Sequence, residues 1–141
     1  MGKFAVAITK DSYTTQISTP DHAGLTDEPI ELGGQNKGPT PYELLMAALA
    51  SCTSITLRMY INRKGWDVSR IRVRVNYSRD YKEDCESCSS TKSKIDVFER
   101  IIDVEGNLDD NMKEKILEIA NKCPVHVTLE NNAKIETHLG N

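Results

Sequence analysis

The sequence predicts an α+β fold, and three observations carry that prediction. A long apolar segment bounded by helix signals occupies residues 41–63. Strict apolar–polar alternation follows over residues 68–81, with a second β-rich stretch at 91–104. An amphipathic helical pattern then covers 108–122. Strands, a long helix, strands, a helix and a last strand describe helices set against antiparallel sheet. With 141 residues the chain is long enough for one domain with a real core, and residues 1–141 are expected to form a single domain.

The long helix is the most sharply marked element. No residue from 44 to 57 is charged, and Ala, Leu and Met dominate there. Thr40 is placed as N-cap, Pro41 as first helical residue, and Glu43 three positions on completes a capping box. Gly65 ends the helix as a left-handed cap, with Arg63 and Lys64 opposing the helix dipole. A helix apolar on nearly every side calls for burial nearly all round.

The remaining elements follow in order. Residues 3–8 alternate and read as a strand, with 14–18 as its partner across a turn at 10–12. Residues 19–32 carry Pro20, Gly24 and Pro29 and read as connection, with a short strand at 29–32; residues 33–41 are loop. In the alternating stretch, Ile71, Val73, Val75 and Tyr77 share one face, and Arg70, Arg72, Arg74 and Asn76 the other. One face is core and the other wet, as in an antiparallel sheet. Residues 82–90 form a polar loop. The alternation of the next strand slips at Val97–Phe98 and at Ile101–Ile102, which predicts a bulge or a stretch covered on both faces. Met112, Ile116, Ile119 and Ala120 form the inner stripe of the second helix, capped by Asn107 or Asp109 and stopped at Cys123–Pro124. One more helical turn at 125–129 and a strand at 133–139 complete the chain.

The net charge of −3, without a cluster of Lys and Arg, speaks against nucleic-acid binding. The N-terminal residues are too polar for a secretory signal, and the uncharged stretch is shorter than the ~20 residues of a membrane span. A soluble, cytoplasmic protein with no membrane partner is therefore expected. In that setting four cysteines point to thiol chemistry or metal binding rather than a disulfide framework.

Cys52 lies within the apolar helix, and Cys123 lies where the second helix ends. If the two helices pack together, these thiols meet as a dithiol/disulfide couple; the other reading of Cys52 is an inert core thiol. His126, three after Cys123, is placed to act on that thiol as base or donor, or to serve as a boundary residue bonded to backbone. Cys85 and Cys88 form a C-x-x-C in the polar loop. It reads as a redox pair, as half of a zinc site completed elsewhere, or as a plain surface loop. Lys37 belongs to a glycine-rich loop before the helix whose N–H groups suit an anion, or which simply connects.

The segments G-P-T-P-Y-E-L-L-M-A-A-L-A-S-C-T (38–53) and I-A-N-K-C-P-V-H-V-T-L (119–129) together resemble the OsmC/Ohr family, named for osmotically inducible protein C and organic hydroperoxide resistance protein. The resemblance runs in order over nearly the whole chain. The C-x-x-C followed by F-E-R-I-I-D-V-E-G-N-L-D (98–109) is similar to a C-x-x-C-containing OsmC-like branch. The resemblance implies an intertwined homodimer whose long buried central helices lie between antiparallel sheets from both chains. It implies a metal-free, cofactor-free thiol peroxidase for organic hydroperoxides, with an antioxidant role and a dithiol reductant. By position Cys52 is then the peroxidatic thiol and Cys123 the resolving one, with His126, Glu43 and Lys37 as accessory candidates. The peroxidases of the family pair a glutamate directly after the proline with an arginine from the N-terminal region. Here Tyr42 follows Pro41, Glu43 comes one residue later, and no arginine precedes Arg58. That departure favours a second reading, a non-catalytic dimer holding a small apolar or thiol-bearing ligand at its interface. A structural or regulatory dimer with inert thiols is the third.

Overall fold

Short β-branched stretches separated by turns build the first sheet, and long alternating ones build the second. A computed structural model describes residues 3–81 and 94–140. It divides between Leu45 and Met46 into two compact units.

In the first unit β1 (Val6–Thr9), β2 (Thr15–Ser18) and β3 (Ala23–Thr26) form an antiparallel meander with β2 central. Ile17 of β2 faces Ala7 on one side and Gly24 on the other. β3 lies inside the segment that the sequence marks as connection. Ala-Gly-Leu-Thr has little strand propensity of its own, and pairing with β2 decides its state. Residues 30–32, expected as a strand, form a 3-10 turn (Ile30–Leu32) closed by Gly33 at φ 93°.

The loop beyond that turn is held from within by Asp27, which is 2% exposed. Its carboxylate accepts from the Thr14 hydroxyl at 2.7 Å and from the N–H groups of Glu28 at 2.8 Å and Lys37 at 3.2 Å. Burial opposes ionisation there. The Thr14 hydroxyl and the N–H groups of Glu28, Lys37 and Gln35 outweigh it and hold Asp27 below the ordinary aspartate pKa. Gly34 is required at its position, because a Cβ would lie 1.9 Å from the Glu28 carbonyl oxygen.

Helix α1 (Pro41–Lys64) starts as its capping box dictates. The Glu43 N–H donates to Thr40 Oγ1 at 3.2 Å, and the Thr40 N–H donates to the Glu43 carboxylate at 3.0 Å. It ends at Gly65, φ 68°, with the Gly65 and Trp66 N–H groups on the Asn62 and Ile61 carbonyls, a Schellman closure.

In the second unit β4 (Val68–Tyr81) and β5 (Lys94–Gly106) form a long antiparallel ribbon. Ile71, Val73, Val75 and Tyr77 face Val104, Ile102, Arg100 and Phe98 in register. The opposite face carries the ion pairs Arg70–Glu105 and Arg72–Asp103, and Arg79–Asp96 lies beyond Tyr77 and Phe98 on the first face, at its polar end. Exposed pairs of this kind are individually weak, yet opposite charges facing each other across the strands favour this register. The register is unbroken from Arg70 to Tyr81, and its one shift lies between Val68 and Arg70. The slips in the β5 pattern therefore make no bulge. Ile101 simply points outward, 42% exposed. The C-x-x-C loop lies outside the described residues.

Leu57, Tyr60 and Ile61 of α1 meet Ile116, Ile119 and Ala120 of α2 (Asp110–Ala120), with Trp66, Val68, Ile71, Ile102, Val104 and Leu108 packed against them. Burying a side chain such as Leu57 or Ile61 contributes about 1.5–3 kcal/mol. Asp109 caps α2 by accepting the Met112 N–H at 2.8 Å. Helix α3 (Pro124–Glu130) follows directly. The whole is α+β, with a long helix packed against antiparallel sheet.

Burial of α1 is one-sided. Leu49, Thr53, Leu57, Tyr60 and Ile61 are covered, whereas Ile55 and Met59 are 56% and 68% exposed. All-round burial, which the apolar pattern calls for, is thus not reached among the described residues. By length and composition alone this 24-residue helix could cross a membrane; its buried stripe identifies it as a core helix. Residues 133–139, expected as a strand, carry no secondary structure, and Ile135 and Leu139 are almost fully exposed.

Candidate functional site

Helical spacing brings Leu49, Thr53 and Leu57 onto one buried stripe of α1, and Cys52 sits at the edge of that stripe. Because α2 lays Ile116, Ile119 and Ala120 on the same helix, the chain leaving α2 arrives beside it. The Lys122 and Cys123 N–H groups close the helix end on the Ile119 and Ala120 carbonyls. Pro124 then starts α3, a position where its missing N–H costs nothing, and Cys123 becomes the residue capping that helix. Cys123 is fully buried, and Cys52 is partly accessible.

The two thiols lie within hydrogen-bonding reach of each other, and both are free. They differ in electrostatic setting. Burial pushes the Cys52 thiol up, and its bond to Cys123 adds to the rise. Burial acts upward on Cys123 as well. There it is outweighed by hydrogen bonds from the Cys52 thiol, the His126 N–H, the Thr53 hydroxyl and the Val125 N–H. The net direction for Cys123 is down. The donors gathered on Cys123 thus favour ionisation there over ionisation of Cys52.

Three further side chains join this constellation. The Thr53 hydroxyl donates to the Leu49 carbonyl at 2.8 Å. The Arg100 guanidinium, from β5, donates one N–H to Thr53 Oγ1 at 3.0 Å and another to Asn121 Oδ1 at 2.9 Å. Sequence reasoning passed over all three. A signal existed for Arg100: it occupies a core-facing position between Phe98 and Ile102, opposite Val75, where alternation calls for an apolar residue. Thr53 and Asn121 carry no such mark.

The accessory candidates fall elsewhere. The His126 ring pairs with Glu130 four residues on, so His126 reaches Cys123 through its backbone N–H rather than its imidazole. Glu43 serves the capping box of α1. The Lys37 N–H is taken by Asp27, the Asn36 N–H by the Glu28 carbonyl and the Gly34 N–H by the Pro29 carbonyl, so these groups of the loop are occupied internally. Cys85 and Cys88 lie outside the described residues. Among the described residues no group of three or more His, Cys, Asp or Glu is placed to hold a metal ion.

Chemically, the pair can carry two electrons. Loss of both thiol protons and two electrons joins Cys52 to Cys123 as a disulfide, and a dithiol can reverse that step by exchange.

A family profile described as OsmC-like protein matches residues 34–138. No curated protein sequence matches the chain. Among solved structures, an organic hydroperoxide resistance protein OsmC from Legionella pneumophila is 19% identical, with TM-score 0.67, over 94% of this chain and 91% of that one. An OsmC-like protein from Mycoplasma pneumoniae is 16% identical, with TM-score 0.69, over 92% and 88%. An organic hydroperoxide resistance protein from Elizabethkingia anophelis, with crystallant-derived thiocyanate bound, is 16% identical, with TM-score 0.67, over 94% and 90%.

Proposed function

Since the chain belongs to the OsmC-like protein family, we propose that it is a thiol-dependent peroxidase that reduces organic hydroperoxides through Cys52 and Cys123. The observation that supports this reading is the nearness of a partly accessible thiol to a fully buried one. Access assigns attack to Cys52. As its sulfur approaches the peroxide, its proton passes to the Cys123 thiolate. The O–O bond breaks, the departing alkoxide takes a proton from water and leaves as an alcohol, and Cys52 becomes a sulfenic acid. The Cys123 sulfur then displaces water from that sulfenic acid and forms the disulfide. An external dithiol restores both thiols and is itself oxidised.

The same reading places the protein in the cytoplasm as a homodimer with an antioxidant role. The dimer is supported by the open stripe of α1. Ser54, Ile55, Arg58, Met59 and Asn62, with Ile71 of β4, line a shallow cavity of about 290 Å³ along it. A reducing compartment suits a couple that must return to the dithiol form.

The test is consumption of an alkyl hydroperoxide by the purified protein with a dithiol reductant. Cys52→Ser abolishes it. Cys123→Ser leaves Cys52 to progress to sulfinic acid, seen by mass spectrometry as two added oxygens. Undiminished consumption by Cys52→Ser overturns the reading. Absence of turnover in the wild type, with a small molecule retained in native mass spectrometry, replaces it by the ligand-binding dimer.

A further inference from the structure

We propose that Arg100 is the positioning cation of the thiol pair, acting on Cys123 through the hydroxyl of Thr53. The inference rests on the thiol-pair reading above and adds to it the source of positive charge. Arg100 projects from the core face of β5, where its neighbours in register are apolar. Such a placement is costly for a charge unless its hydrogen bonds are made. Two of its N–H groups are used, on Thr53 Oγ1 and Asn121 Oδ1. Asn121 lies two residues before Cys123, and Thr53 one residue after Cys52. The guanidinium therefore ties together both segments that carry the thiols.

The charge of Arg100 is also not spent on a carboxylate. Arg70, Arg72 and Arg79 of the same ribbon each pair with an acid across the strands. Among the described residues Arg100 has none within ion-pair distance, and both of its bonded partners are neutral. Its field is left to act on the nearest group able to carry negative charge. The titratable groups that bear on that sulfur are Cys52 from α1 and His126 from α3, whose ring is turned to Glu130, and the Arg100 guanidinium of β5 is bonded to Thr53 beside it.

Thr53 is the coupling element. A hydroxyl has one proton to give and two lone pairs to receive. Arg100 fills one lone pair, which leaves the proton to a single acceptor. Two acceptors compete for it, the Leu49 carbonyl at 2.8 Å and the Cys123 sulfur. With Cys123 protonated, the hydroxyl points to Leu49. With Cys123 ionised, it turns to the sulfur, and donation from Arg100 makes it a stronger donor. Arg100 thus stabilises the thiolate that takes the Cys52 proton, without itself touching the peroxide.

The test follows ionisation of Cys123 directly, from the carbon NMR shift of its Cβ across pH, together with the pH profile of single-turnover oxidation by an alkyl hydroperoxide. Arg100→Gln and Thr53→Val each raise the Cys123 midpoint, and the acid limb of the rate profile, by about one unit, a tenfold loss of thiolate at a fixed pH below the midpoint. Their combination adds little beyond either alone, since both cut one path. Arg100→Lys, which keeps the charge, recovers part of the shift, and Thr53→Ser, which keeps the hydroxyl, restores the midpoint. Should Arg100→Gln fail to fold, Thr53→Val decides alone. A midpoint unmoved by Thr53→Val, in protein with wild-type circular dichroism, overturns the proposal. If the wild type consumes no peroxide, the peroxidase reading falls, while the NMR midpoints still decide the role of Arg100.

Discussion

A carboxylate sealed inside a loop behaves unlike one on the surface. Asp27 is covered yet ionised, because a hydroxyl and three N–H groups converge on it. Its folded pKa lies below the unfolded one. Its contribution to stability is therefore complete above the ordinary aspartate pKa of about 3.9, and disappears as the pH falls through the lower folded value. Thermal melts of the wild type should drop steeply over that acid range, and Asp27→Asn should flatten the dependence while lowering stability at neutral pH. An Asp27→Asn protein with the same acid limb as the wild type would show that other carboxylates control it. Cys123 and Cys52 present the same physics at a thiol: burial acts upward on both, and the donors gathered by Cys123 reverse the outcome there. None of this could be read from residue types. The convergence on Asp27 depends on where Thr14 and Lys37 arrive after folding.

Elements with local causes were the legible ones. The capping box of α1, its Gly65 closure, the Asp109 cap of α2 and the two faces of β4 all follow from neighbours within a few positions. Elements that take their state from a partner were not. β3 exists because β2 lies beside it, and residues 133–139 have strand composition without a strand to join. In the candidate site, helix positions made the Cys52–Cys123 meeting foreseeable, and the family resemblance gave it a purpose. Arg100 is masked in the sequence by its place in a strand whose apolar–polar alternation slips on either side of it. The α1 cap gives an element-scale prediction. Thr40→Ala should lower stability by about 1 kcal/mol in urea denaturation, and Thr40→Ser should recover most of it. Equal loss in both variants would mean that the Thr40 methyl, rather than its hydroxyl, does the work.

At the scale of the whole molecule, the missing cover of α1 is the main unpaired feature. Ile55 and Met59 are exposed on a helix with no charge between residues 44 and 57, and their stripe borders the shallow cavity over Ile71. In the proposed homodimer a second chain lies there. Met59→Glu would bury a charge in that contact, so sedimentation should find it monomeric at concentrations where the wild type is dimeric. A dimeric Met59→Glu protein would place the interface elsewhere. The open stripe also makes the molecule's persistence depend on its own abundance. If the folded chain is held by its twin, every tenfold dilution withdraws about 1.4 kcal/mol per dimer from the assembled state. The melting temperature then climbs with concentration, and a scarce protein is a less durable one.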